Sequence, residues 1–421
     1  MFVAIRNTPR DYAWGSPHHI ARFLGTPESG GPEAELWLGA HAGSPARIAD
    51  PSATGGAEDL AAWIARDPEQ ALGAELAAQG ARLPFLLKLL AAGGPLSLQA
   101  HPTPAQARAG FAREEADGKA IDAYDRNYKD EYHKPELIVA LSDTFDALSG
   151  FRPVDEVRAI LATLRAADEA DERPEPGALD LLEQHLDGDD GVERTVEWLL
   201  RDGRGEDTGQ ASWVVERVVR LATSDAAAAS AFALSFETVR ALAEAYPGDP
   251  GIVISLLLNR VRLTRGEALY LRAGNIHAYL DGLGIELMAS SDNVLRGGLT
   301  PKHIDVGELL DVLDVTPMPP PRLEPEIAAD GVRTFRPDDV PDFVLHRAEP
   351  GAEVARITLT GPAIVLAERD GVDLAGAIGE ARLQRGESVY VTPDEGELRV
   401  TGPGIAWVAT TGVEPGASVS R

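Results

Sequence analysis

Two stretches far apart in the chain repeat each other. RGEALYLRAGNIHAYL, residues 265–280, and RGESVYVTPDEGELRV, residues 385–400, align without a gap. Each opens on Arg-Gly-Glu, places a tyrosine three residues after the glutamate, and runs strand, turn, strand. A pair of short strands cannot bury a face alone, so each copy must belong to a larger β unit. The chain is therefore constrained to at least two such units. The copies differ at one telling position: where the first has His277, the second has Glu397.

A glycine and an acid, a strand, a turn and then an inward histidine resemble the second motif of cupin barrels. The resemblance implies two jelly-roll units, the first with a metal ligand and the second without its counterpart. The rest of the 421 residues fits around them. A chain this long exceeds what one core serves, so two or three domains are expected. The first 150 or so residues mix short β-like runs with helix-like segments such as DLAAWIARDPEQALGAELAAQ (59–79). From Val154 the texture changes: Val154, Val157, Ile160, Leu161 and Leu164 recur at helical spacing, and similar runs continue to about Ala245. YPGDPG (246–251) closes that block, and a Pro-rich linker (315–326) precedes a last all-β segment. The expected fold is mainly β with an α insertion, two cupin or jelly-roll barrels plus a helical domain. Its boundaries are 1–151 and 251–314 for the first barrel, 152–250 for the helical insertion, and 327–421 for a second barrel lacking metal ligands.

Composition removes several classes of function. There is no cysteine, which excludes disulfides, a thiol nucleophile and thiolate metal sites, so any metal must be held by nitrogen and oxygen. A formal net charge of −28 opposes nucleic-acid binding and anionic membranes, while leaving room for an anionic small substrate where basic residues are locally placed. The first residues lack a signal-peptide pattern and no apolar run is long enough to span a bilayer, so a cytoplasmic location is the default.

The chemistry concentrates in three segments. LSLQAHP (96–102) holds Gln99 and His101 two residues apart, on one face of a strand. A lone strand histidine is usually a hydrogen-bonded core residue, so this pair says little by itself. HKPELIVAL (133–141) adds Glu136 at the head of an apolar strand, where a buried carboxylate needs a cation. Either Lys134, on the same face if Pro135 keeps the chain extended, or a metal would supply it. GNIHAYL adds His277, with Tyr279 on the same face. Gln99, His101, Glu136 and His277 together offer two imidazoles and two hard oxygens, a set that suits Zn²⁺ with a position left for water or substrate; Fe²⁺ or Mn²⁺ would also fit. The following stretch, residues 282–306, carries Glu286, Asp292, Arg296 and Lys302. With Lys88 and Lys134, the last two would make a cationic pocket suited to a phosphate ester.

YAWGS (12–16), AELWLGAH (34–41), LPFLLKLLAAGGPLSLQAHP (83–102), YKDEYHKPELIVAL (128–141) and AGNIHAYLDGLGIELMASSDNVLRGGLTPKH (273–303), together with the closing β segment, resemble the type I mannose-6-phosphate isomerase (phosphomannose isomerase) family. The resemblance covers most of the chain. It implies an aldose–ketose isomerase acting on mannose 6-phosphate and fructose 6-phosphate through a cis-enediolate, with one zinc ion per chain held by Gln99, His101, Glu136 and His277. Arg296 is then the catalytic arginine, stabilising the enediolate or gripping the phosphate. Lys134 has the best sequence argument as the base, since a neighbouring metal and cationic groups would lower its pKa into working range. Glu286, Asp292 and His133 compete with it, although a regular strand would turn His133 away from Glu136's face. Ser97, Lys88, Lys302, Tyr279 and His133 fall at substrate-contacting positions. The only implied partner is the small sugar phosphate; oligomeric state stays open, with a monomer compatible. Two other readings of the same residues remain, a metal-dependent cupin oxidoreductase and a non-catalytic sugar-binding bicupin.

Overall fold

The computed structural model describes residues 1–204, 209–351 and 353–412; the end of the last expected segment, 413–421, lies outside them. Helix and strand occur in comparable amounts and the strand pairings are antiparallel. The expectation of a mainly β chain understates the helix. Leu60–Arg66 and Pro104–Ala116 lie outside the expected insertion. At its other end the helical block runs on through Gly251–Leu257, a segment expected to start the second stretch of barrel. GIVISLL is buried along its whole length, so it shows no face pattern, and an apolar run of that kind does not distinguish helix from strand.

The site depends on one long strand, His277–Ala289. Its first residues pair with Gln99 and with the strand Thr144–Phe151. Its remaining residues pair with Phe85–Ala92 on one side and Glu136–Ala140 on the other. The change of partners falls at a bulge between Tyr279 and Asp281, followed by Gly282 at φ +117°. A Cβ there would sit 2.8 Å from the Thr144 carbonyl oxygen, so this bend needs glycine. By bending, one strand gathers residues from every segment singled out in the sequence.

The two Arg-Gly-Glu copies are structurally equivalent turns. Gly266 and Gly386 have φ +88° and +81°, and the Glu267 and Glu387 carboxylates accept from the Thr264 and Gln384 amides at 2.7 and 2.8 Å. Strands Ala268–Leu271 and Ser388–Val391 follow them. Glu397, the counterpart of His277, is exposed and paired with Arg356 at 2.6 Å.

The C-terminal strands form an eight-stranded sheet that also takes in the N-terminal strand Phe2–Arg6, paired with Ser388–Val391. Assigning residues 1–151 to one unit therefore cuts across a sheet. The same mixing appears in the core, where Leu87, Ile285 and Trp63 share one apolar cluster with Tyr390 and Trp407. Trp63 meets Tyr390 edge to face at 5.6 Å.

In the helical block, Val157, Ile160, Leu161 and Leu164 face inward as their spacing demands. That interior also holds one ion pair, Arg217 Nε to Asp168 Oδ1 at 2.5 Å, with both side chains almost fully buried. Asp168→Ala would strand the guanidinium away from water. We expect a loss of about 3–5 kcal/mol in urea-induced unfolding followed by circular dichroism.

Candidate functional site

Three ligand-type side chains meet beside a pocket that Glu136 lines. His101 Nε2 lies 3.3 Å from one Glu136 oxygen, and His277 Nε2 lies 3.2 Å from the other. All three residues are at most 1% exposed. Backbone carbonyls fix both rings: His101 Nδ1 is 2.8 Å from the Asn293 oxygen and His277 Nδ1 is 3.0 Å from the Asn275 oxygen. Each Nδ1 must carry the proton to donate, so each Nε2 presents a lone pair to the carboxylate. Those two Nε2 atoms and Glu136 Oε2 are buried without any hydrogen-bond partner among the described residues. Three convergent orphan atoms of this kind need a cation between them, and they lie within 4.8 Å of one another, as metal ligands do.

Electrostatics agree with that reading. Burial, helped by the nearby Lys134 charge, lowers the His101 pKa to about 4, so the ring is neutral and able to ligate at neutral pH. Burial alone would raise Glu136, but Lys134 and the two imidazoles overcome it and hold the carboxylate well below its usual range. Lys134 Nζ donates to Glu136 Oε1, so both sources of positive charge weighed in the sequence, the lysine and a metal slot, converge on one carboxylate.

The pocket beside them has a volume of about 650 Å³. Gln99 lines it, in register with His277 on one side and Arg296 on the other. The alternation expected of LSLQAHP holds where it matters: Leu98 and Ala100 are fully buried in the apolar core, whereas Ser97 and Gln99 reach the pocket. Leu96 also touches the pocket. Lys88, Lys134, Tyr279, Glu286, Asp292, Arg296 and Lys302 all line it.

Within the pocket these residues have distinct states. Lys88 sits opposite Glu286 in the sheet and pairs with it at 3.0 Å, and with Glu35 at 3.3 Å. Burial raises the Glu286 pKa, and Lys88 limits that rise. The Tyr279 hydroxyl is buried and without a hydrogen-bond partner among the described residues; burial and then the Glu286 charge raise its pKa well above the ordinary value, so it stays a phenol. Asp292 is at the rim, 3.2 Å from His41 Nε2, and although burial pushes it up, the His41 contact holds it below the usual range. Arg296 and Lys302 make no ion pair among the described residues; burial lowers the pKa of both, and in Lys302 the Arg296 charge adds to the effect.

His133 is the exception and a correction. Its Nε2 lies 2.8 Å from Asp342, a residue of the C-terminal segment, and the ring does not line the pocket. The alternation of the Glu136 strand, continued back to residue 133, turns it away. Glu35 was missed. It is buried, bonds Lys88 and accepts from Trp37 Nε1 at 2.9 Å. The signal was present in ELWL, a carboxylate in a strand buried at every position, and the reasoning applied to Glu136 would have found it.

The family model for "Phosphomannose isomerase type I, catalytic domain" matches residues 2–154. The mannose-6-phosphate isomerase of Escherichia coli (strain K12) is 35% identical over 401 residues, covering 94% of this chain and 96% of that enzyme. The mannose-6-phosphate isomerase of Bos taurus is 32% identical and covers 94% of each chain. A crystal structure of mannose 6-phosphate isomerase bound with zinc and yttrium superposes with a TM-score of 0.83 at 32% identity, over 98% of this chain and 100% of that one.

The Lys88 pair gives a pH-dependent expectation. The folded pKa of Glu286 lies above its unfolded value, so the folded state holds that proton more tightly. The stability this adds is present below the ordinary carboxylate pKa and is lost as pH rises through the raised one. Lys88→Met removes the cation that limits the rise and widens the window upward. We expect the variant to lose about 3–5 kcal/mol at pH 8 and to recover part of it towards pH 5, read by chemical denaturation at both pH values.

Proposed function

The chain belongs to the mannose-6-phosphate isomerase family, and from that we propose that it interconverts mannose 6-phosphate and fructose 6-phosphate with one zinc ion per chain. The observation that carries this reading is the set of three buried, unpartnered ligand atoms on His101, Glu136 and His277, of which Glu136 lines a pocket that also holds Arg296 and Lys302, two cations without an ion pair among the described residues. We assign the zinc to those three residues, with the Gln99 carboxamide as fourth donor. Bound there, zinc supplies Lewis-acid polarisation of the sugar's carbonyl and hydroxyl oxygens.

The remaining steps fall to this chain's own side chains. The open-chain sugar must lose a proton from C2 and regain one at C1, or the reverse. Lys134 is already engaged with Glu136, to which its Nζ donates. Asp292 is held below the usual carboxylate range at the rim, which makes it a weak base. Glu286 combines burial, a raised pKa and ionisation supported by Lys88, the properties a base needs near neutral pH. We therefore assign the proton transfer to Glu286, with Lys134 placing positive charge beside the reacting oxygens. Arg296, neighbour of Gln99 in the sheet, stabilises negative charge as it develops on the sugar. Lys302 and Ser97 take the phosphate, and Tyr279 and Lys88 complete the wall.

The fold class follows the same reading. We propose that the sheets around His277–Ala289 form a catalytic cupin-type barrel, that the helices from residue 154 to 257 are an insertion in it, and that the C-terminal sheets, with the strand Phe2–Arg6 added, form a second jelly roll without ligands. An oxidoreductase would have no use for Arg296 and Lys302, and a mere sugar-binding module none for Glu286. No helix among the described residues is long and apolar enough to cross a membrane.

Conversion of mannose 6-phosphate to fructose 6-phosphate by the purified chain tests the reading. Arg296→Ala should lower kcat by about 10²–10³-fold. Glu286→Gln should also abolish solvent-deuterium incorporation at the sugar's C1 and C2, read by NMR. Incorporation that continues in Glu286→Gln assigns the base elsewhere, and no conversion by the wild-type chain refutes the function.

A further inference from the structure

The two Arg-Gly-Glu turns lie on opposite sides of one cleft. Arg265 comes from the first copy and Arg385 from the second, and Arg22 and Arg369 line the same cavity of about 600 Å³. Four arginines in one cleft stand out in a chain of net charge −28. Two carboxylates share the cavity, and both are already engaged. Glu368 accepts from Arg265 at 2.9 Å and from Trp407 Nε1 at 2.8 Å, and Asp370 accepts from the Arg385 amide at 2.9 Å. The arginines are less fully used. Among the described residues, the Arg385 side chain donates only to the main-chain carbonyls of Arg22 and Phe23, Arg369 makes no ion pair, and Arg22 pairs only with the exposed Glu28. Arg265 and Arg385 are thus pre-oriented by their contacts, while Arg369 and Arg22 are available.

We propose that this cleft is a second binding site, separate from the catalytic pocket, for a small molecule bearing a diphosphate. Arg22 and Arg369 are the two arginines with donors to spare, and a diphosphate offers a phosphoryl group to each while Arg265 and Arg385 add positive charge around it. The Ser142 hydroxyl borders the cavity, and Phe23, Leu141 and Leu283 give it an apolar floor. The volume lies within the range of sites that hold drug-sized ligands, leaving space for an organic group beyond the diphosphate. The repeat that marks the two β units in the sequence thereby places one arginine from each unit at this shared cleft.

Calorimetric titration of the zinc-loaded full chain with inorganic pyrophosphate and with adenosine diphosphate tests the proposal. Arg369→Glu, on an exposed turn, should weaken binding of either probe about tenfold or more while leaving isomerase kcat/KM unchanged. Arg296→Ala, which alters the catalytic pocket, should leave that binding within about twofold of wild type. Arg22→Ala serves as a second variant should Arg369→Glu fold poorly, and should weaken binding in the same way. Tighter binding of adenosine diphosphate identifies a nucleotide as the ligand, and equal affinities identify the inorganic ion. The proposal is overturned if neither probe binds, or if binding survives Arg369→Glu and Arg22→Ala but is lost in Arg296→Ala.

Discussion

The bend in the strand His277–Ala289 is the constraint on which the rest of the site depends. At Gly282 the strand leaves one set of partners for another, so its first part lies beside Gln99 and its second part beside Lys88 and Glu136. A straight strand could not serve both sets. Because it bends, side chains distant in sequence meet without any loop having to hold them. His101 and His277 are further locked by main-chain carbonyls, which fixes the tautomer as well as the direction of each ring.

Charge management is the second principle. Burying Glu35, Glu136 and Glu286 close together would be prohibitively costly without cations, and the chain supplies Lys88 and Lys134. The pairing is unequal. Lys88 is fully occupied between two carboxylates, whereas Glu136 keeps an unpartnered oxygen facing two imidazole nitrogens. That residual imbalance leaves room for a metal. At the rim the balance reverses, where Arg296 and Lys302 form no ion pair among the described residues in a strongly acidic chain, as recognition of an anion requires.

Much of this was legible in the sequence, for identifiable reasons. Period-two alternation placed Gln99 and His101 on one face, and the cost of an unpaired carboxylate singled out Glu136. The repeat drew attention to His277 and set Glu397 at the matching place in the second copy. Other features were less legible because they depend on long-range pairing. The strand Phe2–Arg6 adds to a sheet built from residues after 326, and no local pattern announces that partner. GIVISLL was misread because burial on every side erases periodicity. His133 was kept as a candidate because its attraction to Asp342, far along the chain, has no local trace.

The central claim is that His101, Glu136 and His277 hold a zinc ion on which isomerisation depends. Its most direct test is zinc content by mass spectrometry alongside mannose 6-phosphate isomerase activity, before chelation, after it, and after zinc is returned. The account predicts one zinc per chain, activity that falls with its removal and returns with its restoration, and no tightly held zinc in His277→Ala. Full activity in a chain stripped of metal, or a full complement of zinc in His277→Ala, would contradict it.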